Sequence, residues 1–134
     1  MTIVYALEPD LSAQEFHDIL VASTLAERRP ADDLDRLQQM LRNADIVVTA
    51  RDAGRLVGIS RAITDFAYCC YLSDLAVDTR YQHQGIGKRL IEETRVRAGD
   101  RASLILVAAP AAESYYPKIG MAHLASCWTI PRSR

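Results

Sequence analysis

Residues 82–89, Gln-His-Gln-Gly-Ile-Gly-Lys-Arg, place two glycines and two cations in one short stretch. An apolar strand pattern precedes it and an amphipathic helical pattern follows it. Glycines at such a junction let the main chain come close to a ligand. The first turn of the helix then offers N–H groups with no intrahelical partner, at the positive end of the helix dipole. With Lys88 and Arg89 beside it, the stretch reads as a cradle for a pyrophosphate. An ordinary strand-to-helix turn would carry the same two glycines. Two other phosphate loops fail on spacing. A P-loop needs a glycine five residues before its Gly-Lys pair and a hydroxyl after the lysine, and those positions hold Gln82 and Arg89. The dinucleotide fingerprint needs a third glycine where this chain has Leu90. Nucleoside triphosphate and NAD are therefore disfavoured.

The elements that must hold this turn follow from periodicity. Residues 2–7 alternate apolar and polar, as a short strand does. Ser12 and Glu15 have capping-box spacing, with Phe16, Ile19 and Leu20 on one helical face behind them. Pro30 is expected to open a second helix bearing Leu34, Leu37, Met40 and Leu41. Residues 46–50 and 56–63 flank the turn at 51–54 and predict a hairpin. Residues 68–77 form the next strand, 85–98 a helix, and 104–108 an apolar strand of the kind buried on both faces. A short helix over 112–119 and a last strand over 125–130 complete the order β-α-α-β-β-β-α-β-α-β. This is a mixed α/β chain in which an antiparallel meander feeds a parallel strand.

Leu72-Ser73-Asp74-Leu75-Ala76-Val77 followed by residues 81–90 resembles the central motif of the GNAT superfamily of N-acetyltransferases, a Leu-x-Val strand and an Arg/Gln-x-x-Gly-x-Gly/Ala turn. Tyr115-Tyr116-Pro117-Lys118-Ile119-Gly120-Met121 is similar to the family's second signature, an aromatic-Tyr-x-Lys-Leu-Gly-Phe helix end. The element order extends the resemblance over essentially the whole chain, least closely in the first helices. The resemblance implies a GNAT-like acyl-coenzyme A N-acyltransferase fold and acetyl-coenzyme A as co-substrate. It places the pyrophosphate on the main chain of Gln82, His83, Gln84, Gly85, Ile86, Gly87 and Lys88. The pantetheine arm would lie as an added strand along Leu75, Ala76 and Val77. Tyr116 would protonate or hydrogen-bond the leaving thiolate, with Tyr115 as the competing phenol.

Some relatives carry a glutamate base on the strand before the turn, and spacing puts Tyr71 there. Asp74, the one carboxylate of that strand, is then the candidate base or proton relay. Strict alternation would set it on the face opposite Tyr71 and Ser73, where it would act instead as a hydrogen-bond acceptor. Ala109 stands where many relatives have an asparagine that touches the pantetheine arm. Arg28 and Arg29, with Asp32, Asp33 and Asp35, form either a solvated mixed-charge surface or a rim of the acceptor site, to which Arg61, Asp65, Tyr68 and Tyr71 could add. The implied reaction is direct attack of a primary amine on the acetyl thioester in a ternary complex. The acceptor is unidentified and could be a small molecule or a protein amine. The competing function is a coenzyme A-binding sensor or partner module without catalysis.

Composition bounds these readings. The 134 residues suit a single domain, residues 1–134, and nearly half are hydrophobic. Sixteen Lys and Arg against seventeen Asp and Glu give no electrostatic case for a nucleic-acid partner. The longest apolar run, residues 104–112, is about half a bilayer span and contains Pro110, so no membrane partner is expected. No lysine or arginine precedes residue 28, which argues against a secretory leader and for a cytoplasmic location. Three cysteines and three histidines show no metal-ligand spacing, and no metal is expected. A short C-terminal strand over residues 126–130 would allow a homodimer by strand exchange or edge pairing, but no residue fixes the oligomeric state.

Overall fold

The left-handed pair Ala53-Gly54, with φ of 48° and 84°, closes a two-residue hairpin between β2 (Ile46–Asp52) and β3 (Arg55–Thr64). The computed structural model describes residues 2–134. To this hairpin add β1 (Ile3–Leu7) on one side and β4 (Cys69–Val77) on the other, both antiparallel. β5 (Ser103–Ile105) pairs with β4 in parallel, giving the sheet order β1-β2-β3-β4-β5.

Helices cover both faces. α1 (Ala13–Ala22) and α2 (Leu34–Arg42) bury Phe16, Ile19, Leu20, Leu37 and Leu41 against Val47, Ile59 and Ala76. α3 (Ile86–Ala98) buries Ile86, Leu90 and Ile91 against Val48, Ala50, Val57 and Leu72 on the other face. Ser12 caps α1 as its spacing predicts, its hydroxyl accepting from Glu15 N–H at 3.1 Å. Glu15 does not reach back to complete a capping box. Its carboxylate joins Glu8 on Arg51, tying α1 to the β1–β2 edge.

Leu72 and Ala76, two alternations apart, fall in opposite cores, so the alternation of β4 is broken between them. The register shows where. Asp74 faces Arg61 and Leu72 faces Ala62, leaving Ser73 as an extra residue without a partner. The bulge places Asp74 on the same side as Tyr71, which corrects the strict alternation expected from sequence.

Other elements depart from the sequence reading as well. The 104–108 run is not buried on both faces. β5 is three residues long, and residues 103, 105 and 107 are exposed. The strand expected over 125–130 does not form, and residues 122–134 are exposed throughout, with Trp128 at 90% and Ile130 at 97%. Alternating chemistry is present there, but the segment lies along a wall of the cleft rather than on the free edge of β5, and an isolated strand buries too little to persist. α2 begins after Asp33, whose side chain caps it, rather than at Pro30, and a 3₁₀ turn over Leu25–Arg28 precedes it. The predicted 112–119 helix is a 3₁₀ turn, Pro110–Ala112, followed by the short α4 (Tyr115–Lys118).

The β3–β4 turn carries a pH-dependent tie. One carboxylate oxygen of Asp65 accepts from the N–H groups of Ala67, Tyr68 and Cys69 at 2.9, 2.8 and 3.1 Å. These three donors hold its pKa down from 3.8 to about 2. A depressed carboxylate supports the turn above its unfolded pKa, and that support is lost as pH falls through the folded value. A carboxyl carbon NMR titration should give Asp65 a midpoint near 2; a midpoint near 3.8 would mean the three bonds do not persist in solution.

Candidate active site

β4 and β5 pair only from Cys69 to Tyr71 on β4 and from Ser103 to Ile105 on β5, then separate. Beyond that point, β4 keeps β3 on one side and presents an unpaired main-chain edge on the other through Leu75, Ala76 and Val77. The opening is the mouth of a cleft of about 1920 Å³. Its walls include β4, the 82–88 turn, α4 and the segment after α1.

Local bonds set the turn at the end of this edge. Asp78 N–H donates to Val57 O at 2.9 Å, Asp78 Oδ1 accepts from Arg80 N–H, and Tyr81 Oη donates to Asp52 Oδ2 at 2.7 Å. Gln82 Nε2 donates to Val77 O at 3.2 Å, folding the turn back on the strand. His83 and Gly85 then take left-handed φ of 64° and 82°, which swings the chain into α3. The first helical bond runs from Arg89 N–H to Gly85 O. The N–H groups of Ile86, Gly87 and Lys88 therefore have no helical partner and lie at the positive end of the dipole. The N-cap residue, Gly85, has no side chain to cap this end.

Tyr115 hangs over the turn. A Cβ on Gly87 would lie 3.0 Å from Tyr115 Oη and 3.8 Å from Val77 Cγ2, so glycine at 87 is what lets the Tyr115 hydroxyl sit against the turn. Burial pushes the Tyr115 phenol up, partly offset by the Lys88 N–H that it accepts. Tyr116 meets Tyr115 edge to face at 5.3 Å and packs at the margin of the α3-side core. Burial, and then the neighbouring Tyr115, push its phenol above its ordinary 10.0.

The sequence-predicted cofactor residues gather here with two differences. Leu75, Ala76, Val77, Gln82, His83, Gly85, Gly87 and Lys88 all line the cleft. Ile86 also borders it, but its side chain is in the core, leaving its N–H as the group on offer. Gln84 is exposed and is not among the lining residues. Ala109 lines the cleft as expected, at the start of the 3₁₀ turn.

Asp74 is 0% exposed and does not face the cleft directly. Arg29 Nε donates to one carboxylate oxygen and Arg61 Nε to the other. Arg29 also donates to Ser73 O at 2.8 Å, and Arg61 to Ser73 Oγ at 3.0 Å and Met40 O at 3.1 Å. With both oxygens engaged by guanidinium donors, the geometry suits the acceptor role weighed for Asp74 rather than the base. Of the suggested acceptor-side residues, Arg28, Arg29, Arg61 and Tyr71 line the cleft, whereas Asp65 and Tyr68 do not. Two contributors escaped sequence reading: residues 123–132 on one wall, and the Tyr115 hydroxyl over the glycine turn. Only the apolar character of Trp128 and Ile130 hinted at the first.

Gly87→Val tests the space over the turn. The side chain would project between Tyr115 and Val77 and should weaken coenzyme A binding at least tenfold, about 1.4 kcal/mol, in a calorimetric titration. Full affinity in a folded Gly87→Val would show that the ligand does not use this space.

An unpaired strand edge leading to an uncapped, glycine-flanked helix N-terminus defines a site for a long ligand with a phosphate head. Comparison with known proteins agrees. A model described as an acetyltransferase (GNAT) domain matches residues 8–126. A histone acetyltransferase, TAP1, from Glycine max is 36% identical over 77 residues, covering 49% of this chain and 32% of the relative. The chain spans between about a quarter and half of the length of the curated relatives it matches. The structure of SA2161 from meticillin-resistant Staphylococcus aureus superposes with a TM-score of 0.80 at 20% identity, covering 98% of this chain and 100% of that one. An aminoglycoside 6'-N-acetyltransferase solved with coenzyme A superposes with a TM-score of 0.64 at 21% identity, covering 77% and 60%. The chain belongs to the GNAT acetyltransferase family, a family of acyltransferases.

Proposed function

We propose that the protein transfers the acetyl group of acetyl-coenzyme A to a primary amine held in the same cleft. The observation that carries this reading is the open edge of β4 running into the free N–H groups of Ile86 and Gly87 at the start of α3. The residues present fit the co-substrate: main-chain donors and Lys88 suit the pyrophosphate, and Leu75, Ala76 and Val77 offer a ladder for the pantetheine amides. When bound, the co-substrate supplies an acetyl group activated as a thioester. A main-chain N–H at the separation of β4 and β5 polarises its carbonyl. Tyr116, kept protonated by burial, gives its proton to the departing sulfur as the amine nitrogen takes the acetyl carbon. The surplus proton of the amine leaves to solvent, and Tyr116 regains one from solvent before the next turnover. Asp74 holds Arg29 and Arg61 in place and takes no proton in this scheme.

Calorimetric titration with acetyl-coenzyme A, with ATP and NAD as controls, tests the reading. Micromolar binding of acetyl-coenzyme A alone, about 8 kcal/mol, is expected, together with thiol release when a suitable amine is added. Absence of binding overturns it. Binding without turnover across an amine panel would favour the sensor module instead.

The homodimer belongs to the same proposal. Trp128 and Ile130 stand in solvent, as do Ile105 at the end of edge strand β5 and Val107 just beyond it. Residues 126–130 of one copy would pair with that edge on another and cover all four side chains. Sedimentation equilibrium should show a dimer that Trp128→Asp converts to monomer; a wild-type monomer at every concentration overturns the pairing.

A further inference from the structure

The segment from Glu27 to Arg36 carries both signs of charge, and the fold sorts them. Arg28, Arg29 and Arg36 line the cleft, joined by Arg61 from β3. The aspartates of the segment do not. Asp33 turns back to cap α2, and Asp32 lines a separate hollow beside Gln14 and His17. Among the described residues that line the cleft, Glu27 is the one carboxylate.

At the floor of this cluster, two guanidinium groups share the single carboxylate of Asp74. The Arg61 side chain is 6% exposed and that of Arg29 22%, so one positive charge is left over in a place largely shielded from water. Each guanidinium has five N–H donors; three bonds are made by Arg29 and three by Arg61. Arg28 has no carboxylate within 4.0 Å among the described residues. Arg36 instead donates to the main-chain oxygen of Arg134 at 3.3 Å. Shielded charge without a counter-charge is unfavourable, and planar guanidinium pairs match carboxylate and phosphate oxygens.

We infer that the acceptor amine also carries an anionic group, a carboxylate or a phosphate, and that Arg28, Arg29, Arg36 and Arg61 bind it. The inference rests on the acetyl-transfer reading for the amine, but the anion site stands on its own geometry. The co-substrate does not account for these arginines. Arg29 and Arg61 grip Ser73, and about 13 Å of strand separates Ser73 from Val77, beyond which the turn and Lys88 provide for the pyrophosphate. Polyamines, aminoglycosides and lysine-rich peptides would meet like charge here. The same positive field disfavours the ammonium form of the bound amine, favouring the neutral nucleophile without a carboxylate base.

The test uses the full chain labelled with nitrogen-15 and saturated with coenzyme A, reading the arginine Nε–H signals. Inorganic phosphate and acetate are titrated separately, followed by O-phosphoethanolamine against ethanolamine and glycine against glycinamide. The Arg29 and Arg61 signals should shift saturably with at least one of the two anions, and the tighter one identifies the group as phosphate or carboxylate. The anionic amine of the matching pair should bind at least tenfold more tightly than its uncharged-tail counterpart. Arg28→Ala, an exposed substitution, should weaken the anion at least threefold. Unmoved arginine signals with both anions, equal binding within the pair, or unchanged affinity in Arg28→Ala would each overturn the inference. The arginine signals report this site whether or not coenzyme A binds, so failure of the acetyl-transfer reading shows separately, in the calorimetry.

Discussion

Tyr116→Phe should lower kcat by about 10²–10⁴-fold and leave acetyl-coenzyme A affinity within about twofold, the range expected when a positioned proton donor is removed. Phenylalanine keeps the ring that packs at the margin of the α3-side core and removes only the hydroxyl. Burial raises the Tyr116 phenol above 10.0, so the group stays protonated across the neutral and mildly alkaline range. The sign follows: a raised phenol loses its proton later than a free tyrosine, and the wild-type rate should not decline through Tyr116 below pH 10. Steady-state thiol release across pH 6–10 measures both effects. A Tyr116→Phe variant that binds normally and keeps the wild-type rate with every amine would remove Tyr116 from the reaction and turn attention to Tyr115.

The second large effect is on stability. Asp74→Ala should destabilise the protein by about 3–5 kcal/mol, because it leaves two guanidinium groups side by side without the carboxylate between them. Urea denaturation should show a midpoint lowered by more than about 1 M. Asp74→Asn separates the two roles weighed for this residue. A base removed from an intact fold gives full stability and no activity. A structural anchor removed gives a large loss of stability, with whatever activity remains following the folded fraction. An Asp74→Asn as stable as wild type yet inactive would restore the base.

What sequence could show followed from local signals. The capping box spacing found Ser12, the Arg51-Asp52-Ala53-Gly54 turn announced its hairpin, and the glycines at 85 and 87 marked the turn between strand and helix. Each of these depends on neighbours a few residues apart. The parts that were missed depend on partners far away in the chain. Nothing near residues 125–130 states that β5 will leave its outer edge unpaired, so their alternation read as a strand. Asp74 and its two arginines illustrate the same point for the site. All three were noticed as residues, but Arg29 lies 45 positions from Asp74, and only the fold shows that they meet. The bulge was invisible because Leu72-Ser73-Asp74-Leu75 contains no glycine or proline to mark it.

That extra residue in β4 acts like a frameshift in a strand. Upstream of Ser73, even-numbered side chains serve the core under α3; downstream they serve the face under α1 and α2. One strand thereby obeys two parities. Deletion of Ser73 would leave Leu72 and Asp74 as neighbours opposite Ala62 and Arg61, so each side chain would keep its face, while the local bend and the Ser73 carbonyl and hydroxyl held by Arg29 and Arg61 would be lost.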